Sequence, residues 1–215
     1  MRAKAIIFDW DGVVADSLPV HFKIYKAVEK RLQKKIMPAH YYKNSDFIDL
    51  DWRENLKKVD INDKKTWNKI SEIYKKESAR LNSEIKPFPG MKRIIIKLSK
   101  NFKLGIVSNN YLDVINEKLE EWEMEHYFKA IVDGHFKTNK PHPGQLLECM
   151  KKLNVLPEET IYIGDMDGDI TTGRNADVKR VIAVTYGWHS HNKLKCFEPD
   201  AFFHKPEDML SLLHY

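Results

Sequence analysis

Acidic residues follow two short apolar runs of this 215-residue sequence. Asp9 and Asp11 follow Lys-Ala-Ile-Ile-Phe, while Asp165 and Asp169, one helical turn apart if a helix starts there, follow Thr-Ile-Tyr-Ile. Because side chains alternate along an extended chain, Asp9 and Asp11 are expected to start on the same side, where two carboxylates repel unless a cation offsets them. Carboxylates without cysteine or histidine favour a hard ion, so the pattern predicts Mg²⁺ before Zn²⁺.

Polar groups suited to an anion lie between these two acidic segments. Ser108 and Asn109 follow the apolar run Lys-Leu-Gly-Ile-Val, and Lys140 begins Lys-Pro-His-Pro. A hydroxyl and backbone N–H groups at a strand end can hold phosphate oxygens. An ammonium group can neutralise both a phosphate and a nearby carboxylate, so together these residues indicate phosphate chemistry.

The elements that position these residues alternate between strands and helices. The strand-like runs are apolar throughout, as in a parallel sheet that helices cover on both faces. They are residues 4–8, 103–107, 130–132, 160–163, 180–184 and 201–203. Helices are predicted over residues 91–100, 111–122, 143–153 and 207–213. This order predicts an α/β fold with a doubly wound parallel sheet, whose ligands bind at the carboxyl ends of the strands.

One stretch interrupts the alternation of strands and helices. Residues 16–85 contain no convincing strand but have helical patterns at 22–32 and 66–81, and Pro87 to Gly90 marks the return of the chain. We therefore predict a core domain of residues 1–15 and 86–215, with a small α-helical domain of residues 16–85 inserted after the first strand.

Four motifs together resemble those of the haloacid dehalogenase superfamily. They are Phe8–Val13, Val107–Asn109, Lys140–Pro143 and Gly164–Asp169, in that superfamily's chain order. The resemblance covers nearly the whole chain. It is strongest to phosphoglycolate phosphatase and β-phosphoglucomutase-like members, which implies a Rossmann-like core, a helical cap and a phosphomonoester hydrolase.

The resemblance implies a role for each catalytic and phosphate-binding residue. Asp9 would attack phosphorus and form an aspartyl phosphate, and Asp11 would protonate the leaving alcohol and then activate water. Ser108, Asn109 and Lys140 would hold the phosphoryl oxygens. Dehalogenases of this superfamily lack a carboxylate at the position of Asp11, so the resemblance favours phosphoryl transfer over carbon–halogen cleavage.

The resemblance also implies Mg²⁺ as the cofactor. Asp9, Asp165, Asp169 and the backbone carbonyl of Asp11 would be its ligands, and the ion would neutralise charge and align the attack. In the inserted helical domain, His21, Trp52 and Arg53 are candidates for substrate selection. The sequence assigns no role to the segment Trp188–His191.

Two other functions compete with a phosphatase that acts on small phosphorylated metabolites. A sugar phosphomutase resembling β-phosphoglucomutase is indicated by Val13, Asp16 and His21. A non-enzymatic phospho-acceptor is the other alternative, since receiver domains also combine paired acids, a hydroxyl and a lysine. The motif order and the inserted domain argue against a receiver.

Composition excludes several classes of protein. Hydrophobic residues make up 42% and charged residues 31%, with a net charge of +5, and lysines are dispersed without an arginine-rich aromatic patch, so no nucleic-acid partner is expected. No apolar run is long enough for a membrane span. Met1 to Phe8 is predicted as a strand and not a signal segment, and Cys149 and Cys196 as free thiols. We expect a cytoplasmic monomer or homodimer.

Overall fold

The computed structural model describes residues 2–214, and Met1 and Tyr215, the first and last residues of the predicted core domain, lie outside that range. Internal contacts divide the chain into two compact units. The first, which we call the core unit, comprises Met1–Asp16 and Pro87–Tyr215, and the second, the helical unit, comprises Ser17–Lys86. These boundaries lie one residue from those expected from the sequence.

Six strands of the described core unit form a parallel sheet in the order β5-β4-β1-β6-β7-β8. They are β1 Ala5–Phe8, β4 Lys103–Val107, β5 Phe128–Val132, β6 Thr160–Gly164, β7 Arg180–Val184 and β8 Ala201–Phe203. All four residues of β1 are buried, as expected for a central strand covered on both faces. The structure confirms the predicted doubly wound α/β fold.

The helices of the core unit lie between successive strands along the chain. They are α4 Met91–Leu98, α5 Leu112–Glu121, α6 Gly144–Leu153, α7 Asp167–Asn175 and α8 His191–Lys195. Apolar side chains of α6 and α7, such as Leu146, Leu153 and Ile170, pack in one buried cluster with Ile7 and Tyr162 of the sheet. Burial of this apolar surface is the main stabilising term for such a fold.

Strand β1 lies where the direction of sheet growth reverses. After β1 the chain builds β4 and β5 on one side, and then β6, β7 and β8 on the other. The register pairs Phe8 with Ile106 of β4 and with Ile163 of β6, so these three strands end at the same edge. Such a switch point forms the crevice in which doubly wound proteins bind ligands.

The helical unit contains α1 Leu18–Leu32, α2 Trp52–Lys57 and α3 Lys64–Leu81, with 3₁₀ turns at Ala39–Tyr42, Ser45–Phe47 and Asn82–Glu84. Helices α1 and α3 pack against each other. Glu77 of α3 is buried and forms ion pairs with Arg31 of α1 at 2.5 Å and with Arg80 at 2.9 Å. Two basic partners offset the cost of burying this carboxylate.

Further short elements are β2 Ala15–Asp16 and β3 Lys86–Pro87, which form a two-stranded sheet, and 3₁₀ turns at Glu125–Tyr127 and Pro157–Glu159. The predicted helix over residues 207–213 is instead 3₁₀ structure at Pro206–His214, which starts at a proline and has Asp208 Oδ2 accepting from the N–H groups of His204 and Lys205. Cys149 and Cys196 are free thiols, as predicted. Within residues 2–214 no helix has the length and apolarity that a membrane span requires.

Candidate active site

Asp9 lies directly after β1 and is only 4% exposed. Its backbone N–H donates to Ile163 O at 2.8 Å, which continues the pairing of β1 with β6 past the end of the strand. Its Oδ1 accepts from Trp10 N at 2.7 Å and lies 2.7 Å from Lys140 Nζ. The carboxylate is therefore held in one orientation from two sides.

The turn that follows Asp9 sets the position of Asp11. Trp10 O accepts from the N–H groups of Val14 and Ala15 at 3.0 Å each, and Gly12, at φ +82°, donates to Ala15 O at 2.9 Å. Both acids lie beyond β1, which ends at Phe8, so the turn contributes to their positions. The turn leaves Asp11 half-buried.

Asp165 and Asp169 meet through the start of α7. This helix begins at Asp167, so Asp165 precedes it and the two acids are not spaced along one helix. Asp169 instead reaches back, and its Oδ2 accepts from Asp165 N at 3.2 Å and from Met166 N at 3.0 Å. These bonds satisfy N–H groups at the helix start, as in a capping box.

Lys140 connects the two groups of acids. Its ammonium lies 2.7 Å from Asp9 Oδ1 and 2.6 Å from Asp169 Oδ1, and the residue is only 3% exposed. Tyr162 of β6 also donates its hydroxyl to Asp169 Oδ1 at 2.9 Å. The structure thus brings together four of the predicted site residues, Asp9, Lys140, Asp165 and Asp169.

Burial and mutual repulsion dominate the electrostatics of this cluster. Burial, followed by the charge of Asp169, raises the pKa of Asp9 to about 7, although Lys140 acts in the opposite direction. Burial and the charges of Asp9 and Asp169 raise the pKa of Asp165 well above its usual range. Burial disfavours the charged form of Lys140, but the two carboxylates outweigh it, and its pKa is raised. A single ammonium therefore does not neutralise the three acids.

The residues present fit a divalent cation. Carboxylate oxygens of Asp9, Asp165 and Asp169 lie within 4.8 Å of one another. Asp165 Oδ1 is buried and has no hydrogen-bond partner, which is costly for a carboxylate oxygen unless a ligand meets it. All the ligand atoms are oxygen, the donor type that hard cations prefer. Both oxygens of Asp169 already accept hydrogen bonds, so its contribution as a direct ligand stays a prediction.

Ser108 and Asn109 follow β4 at the same edge of the sheet. Ser108 is buried, and its Oγ accepts from Asn110 N at 3.0 Å, so the hydroxyl hydrogen remains to be donated elsewhere. Asn109 Oδ1 is buried without a hydrogen-bond partner. Gln145 of α6 donates to the backbone carbonyls of Ser108 at 3.0 Å and Asp133 at 2.8 Å, which fixes this strand end.

The segment Trp188–His191 contacts the acidic cluster, a role that the sequence does not reveal. Trp188 N donates to Asp165 Oδ2 at 2.7 Å, and His189 N donates to Asp165 O at 3.3 Å. Two glycines allow this approach, because a Cβ at Gly12 would lie 2.0 Å from Asp165 Oδ2 and one at Gly187 would lie 2.4 Å from Asp165 Cβ. Residue types do not predict which backbone N–H groups donate here, and in the sequence only the two glycines indicate close packing.

The remaining predicted site residues belong to the helical unit. His21 is buried, and its Nδ1 lies 2.6 Å from the hydroxyl of Tyr74. Trp52 and Arg53 are partly exposed at the start of α2, where the guanidinium lies 5.7 Å from the centre of the indole ring. Their role in substrate selection stays a prediction.

Comparison with known proteins identifies the family. A family model described as haloacid dehalogenase-like hydrolase matches residues 6–184. Phosphoglycolate phosphatase from Aquifex aeolicus is 31% identical over 215 residues, which cover 98% of this chain and 96% of that protein. Phosphorylated carbohydrates phosphatase from Thermotoga maritima is 28% identical over 217 residues, 98% of each chain.

A solved structure shares the fold. A haloacid dehalogenase-like family hydrolase from Streptococcus pneumoniae superposes with a TM-score of 0.84 over 98% of both chains at 21% identity. At that identity the likeness concerns the fold alone. The family model and the Aquifex relative carry the assignment and confirm the predicted family: the chain belongs to the haloacid dehalogenase-like hydrolases.

Proposed function

We propose that this protein is an Mg²⁺-dependent phosphatase that hydrolyses small phosphorylated metabolites through an aspartyl phosphate at Asp9. The observation that carries the proposal is the contact of Lys140 Nζ with Asp9 Oδ1 at 2.7 Å, next to the buried Asp165 oxygen that lacks a partner. The names of the relatives support the substrate class, since they act on phosphoglycolate and on phosphorylated carbohydrates.

The phosphoryl group of the substrate would be held by Lys140 and by donors that follow β4. Lys140 provides a cation, and the Ser108 hydroxyl provides a hydrogen that its bond to Asn110 N leaves available. Asn109 would contribute as a donor through the nitrogen of its side-chain amide. Prepositioned donors of this kind stabilise charge that develops during transfer.

The reaction proceeds in two displacements. Asp9 attacks phosphorus, the bond from phosphorus to the ester oxygen breaks, and the leaving oxygen takes a proton from Asp11. Asp11 then removes a proton from water, which attacks the phosphorus of the aspartyl phosphate and releases inorganic phosphate and Asp9. Trp10 N and Lys140 hold the Asp9 carboxylate in place through Oδ1.

Asp9, Asp165, Asp169 and the backbone carbonyl of Asp11 would hold the metal ion. When bound, Mg²⁺ supplies neutralisation of the phosphate and carboxylate charges. Trp188 N orients the Asp165 carboxylate by donating to its Oδ2, so that this side chain cannot rotate freely.

The same proposal gives the helical unit a role. The helical unit would act as a cap, with His21, Trp52 and Arg53 selecting the substrate, and the protein would be a cytoplasmic monomer or homodimer without a nucleic-acid partner. These roles follow from the sequence and the family resemblance.

The test is phosphate release from phosphoglycolate, hexose phosphates and p-nitrophenyl phosphate, with and without Mg²⁺, by wild type and Asp9→Asn. We expect Mg²⁺-dependent release that Asp9→Asn abolishes. Exchange of phosphate between positions of one hexose with little net release would instead establish the mutase. A phosphorylated Asp9 that persists for minutes to hours would favour the phospho-acceptor.

A further inference from the structure

Asn110 lies beside the second acid of the Asp9–Asp11 pair. Its side-chain nitrogen Nδ2 donates to Asp11 Oδ2 at 3.1 Å, although the two residues are 99 positions apart in sequence. Both belong to the core unit, with Asp11 in the turn after β1 and Asn110 three residues beyond the end of β4. Strands β1 and β4 are neighbours in the sheet, so the contact joins two adjacent strand ends.

The orientation of the Asn110 amide is fixed by a second bond. Tyr111 N donates to Asn110 Oδ1 at 2.8 Å. A backbone N–H can only donate, so the oxygen must face Tyr111 and the NH₂ group must face Asp11. The direction of the hydrogen bond to the carboxylate therefore follows from geometry.

The backbone of Asn110 is held as firmly as its side chain. Its N–H donates to Ser108 Oγ at 3.0 Å, and its carbonyl accepts from Gly134 N at 2.8 Å. Glycine is required at position 134, since a Cβ there would lie 2.2 Å from Asn109 O. Four hydrogen bonds thus fix Asn110, and only the one to Asp11 has a partner outside the loops that follow β4 and β5.

We propose that Asn110 is a positioning residue that holds the Asp11 carboxylate in place for proton transfer. The inference rests on the proposed function, in which Asp11 protonates the leaving alcohol. A half-buried carboxylate on a turn samples several rotamers, and a proton donor is effective only within hydrogen-bond reach of the leaving oxygen. Because Asn110 is itself fixed by three other hydrogen bonds, the bond that it donates restricts the rotamers of Asp11.

The test uses substrates that differ in their need for a proton. Departure of p-nitrophenolate needs little protonation, whereas departure of the alkoxide from phosphoglycolate needs a proton from Asp11. We expect Asn110→Ala to lower kcat/KM for phosphoglycolate about tenfold or more, and to lower it much less for p-nitrophenyl phosphate. Asn110→Asp retains the acceptor for Tyr111 N but loses the donor to Asp11, so it gives the same pattern even if Asn110→Ala folds poorly.

A double-mutant cycle with Asp11→Asn completes the test. If Asn110 acts through Asp11, Asn110→Ala causes less than about a twofold further loss in the Asp11→Asn background. The control is Asp133→Ala, which removes the bond from Leu112 N to Asp133 Oδ2 at 3.1 Å beside the same helix start without touching Asp11. It should leave the ratio of the two kcat/KM values unchanged.

Two results would overturn the proposal while leaving the phosphatase intact: equal losses on both substrates, or the same loss from Asn110→Ala with and without Asp11. Failure of the proposed function is distinguishable, because wild type would then release no phosphate from either substrate. That outcome overturns the positioning role as well.

Discussion

The ammonium of Lys140 lies 2.7 Å from Oδ1 of Asp9, and both side chains are almost completely buried. The same ammonium contacts Asp169, so one cation offsets a carboxylate that follows β1 and a carboxylate in the first turn of α7. Removal of this cation would leave buried carboxylates without a compensating charge, which makes Lys140 sensitive to substitution.

Lys140→Met should therefore impair both activity and stability. Methionine matches the length of the aliphatic part of the lysine side chain but lacks the cation. We therefore expect phosphate release to fall at least about 100-fold and the free energy of unfolding to fall by about 3 kcal/mol. Urea unfolding and phosphate release measure the two effects. The control is Lys137→Met in the same loop, where the lysine is exposed and both quantities should stay near wild type.

Asp9→Asn should stabilise the metal-free protein at high pH. The pKa of Asp9 is raised from 3.8 to about 7, chiefly by burial, so between these values the folded state binds the proton more tightly than the unfolded state. The contribution of Asp9 to stability is fully present below about pH 4 and is lost as the pH rises through 7. Asparagine resembles the protonated acid and avoids that loss.

We expect the free energy of unfolding of Asp9→Asn to exceed that of wild type by about 1–4 kcal/mol at pH 8. This corresponds to a rise of several degrees in melting temperature, and the difference should be small at pH 4. Melting curves in EDTA at pH 4, 6 and 8 measure the difference from wild type. Exposed Asp113, changed to Asn, should show no such trend. A difference that stays constant with pH would contradict the raised pKa of Asp9.

The position of the site could be predicted because three of its four motifs directly follow an apolar run. Asp9, Ser108 and Asp165 follow strands β1, β4 and β6, and parallel strands end at one edge. The contacts within the site could not be predicted in the same way. Asp165 and Asp169 meet by a side chain that reaches back over the first residues of α7, and this depends on where the helix begins.

Other partners carry no signal in their residue types. Trp188 contributes a backbone N–H, which any residue except proline would supply, and Asn110 resembles an ordinary turn residue. Their contacts join segments 23 and 99 residues apart, respectively. Such contacts depend on the sheet order and on loop conformation, and neither is encoded locally.

Asp165→Asn should reduce stabilisation by Mg²⁺, measured without any substrate. An ion that binds only the folded protein adds about 2.7 kcal/mol at 100 times its Kd, so we expect wild type to melt several degrees higher with saturating Mg²⁺. Replacing Asp165 removes the buried oxygen that lacks a partner, and the rise in melting temperature with Mg²⁺ should fall below about 2 °C.

Asp167→Asn is the matched control for that experiment. Asp167 lies two residues away, is half-buried, and forms an ion pair with Lys193 at 3.0 Å. Its substitution should leave the rise with Mg²⁺ intact. If Asp165→Asn melted higher with Mg²⁺ by the same amount as wild type, the acidic cluster would not be the metal site.

Tyr162→Phe should loosen the cluster without removing a charge. Tyr162 is fully buried in β6, and its hydroxyl donates to Asp169 Oδ1 at 2.9 Å, the oxygen that also contacts Lys140. Phenylalanine fills the same space but cannot donate, so we expect the free energy of unfolding to fall by about 1.5–3 kcal/mol. Because Asp169 holds Lys140, kcat should also fall by a few fold, with KM for p-nitrophenyl phosphate nearly unchanged.

The control is Tyr127→Phe, at a half-buried tyrosine in the turn before β5, which should alter neither the free energy of unfolding nor kcat. Full stability in Tyr162→Phe would mean that the bond to Asp169 contributes nothing net, and the position of Lys140 would then depend on its two carboxylate partners alone.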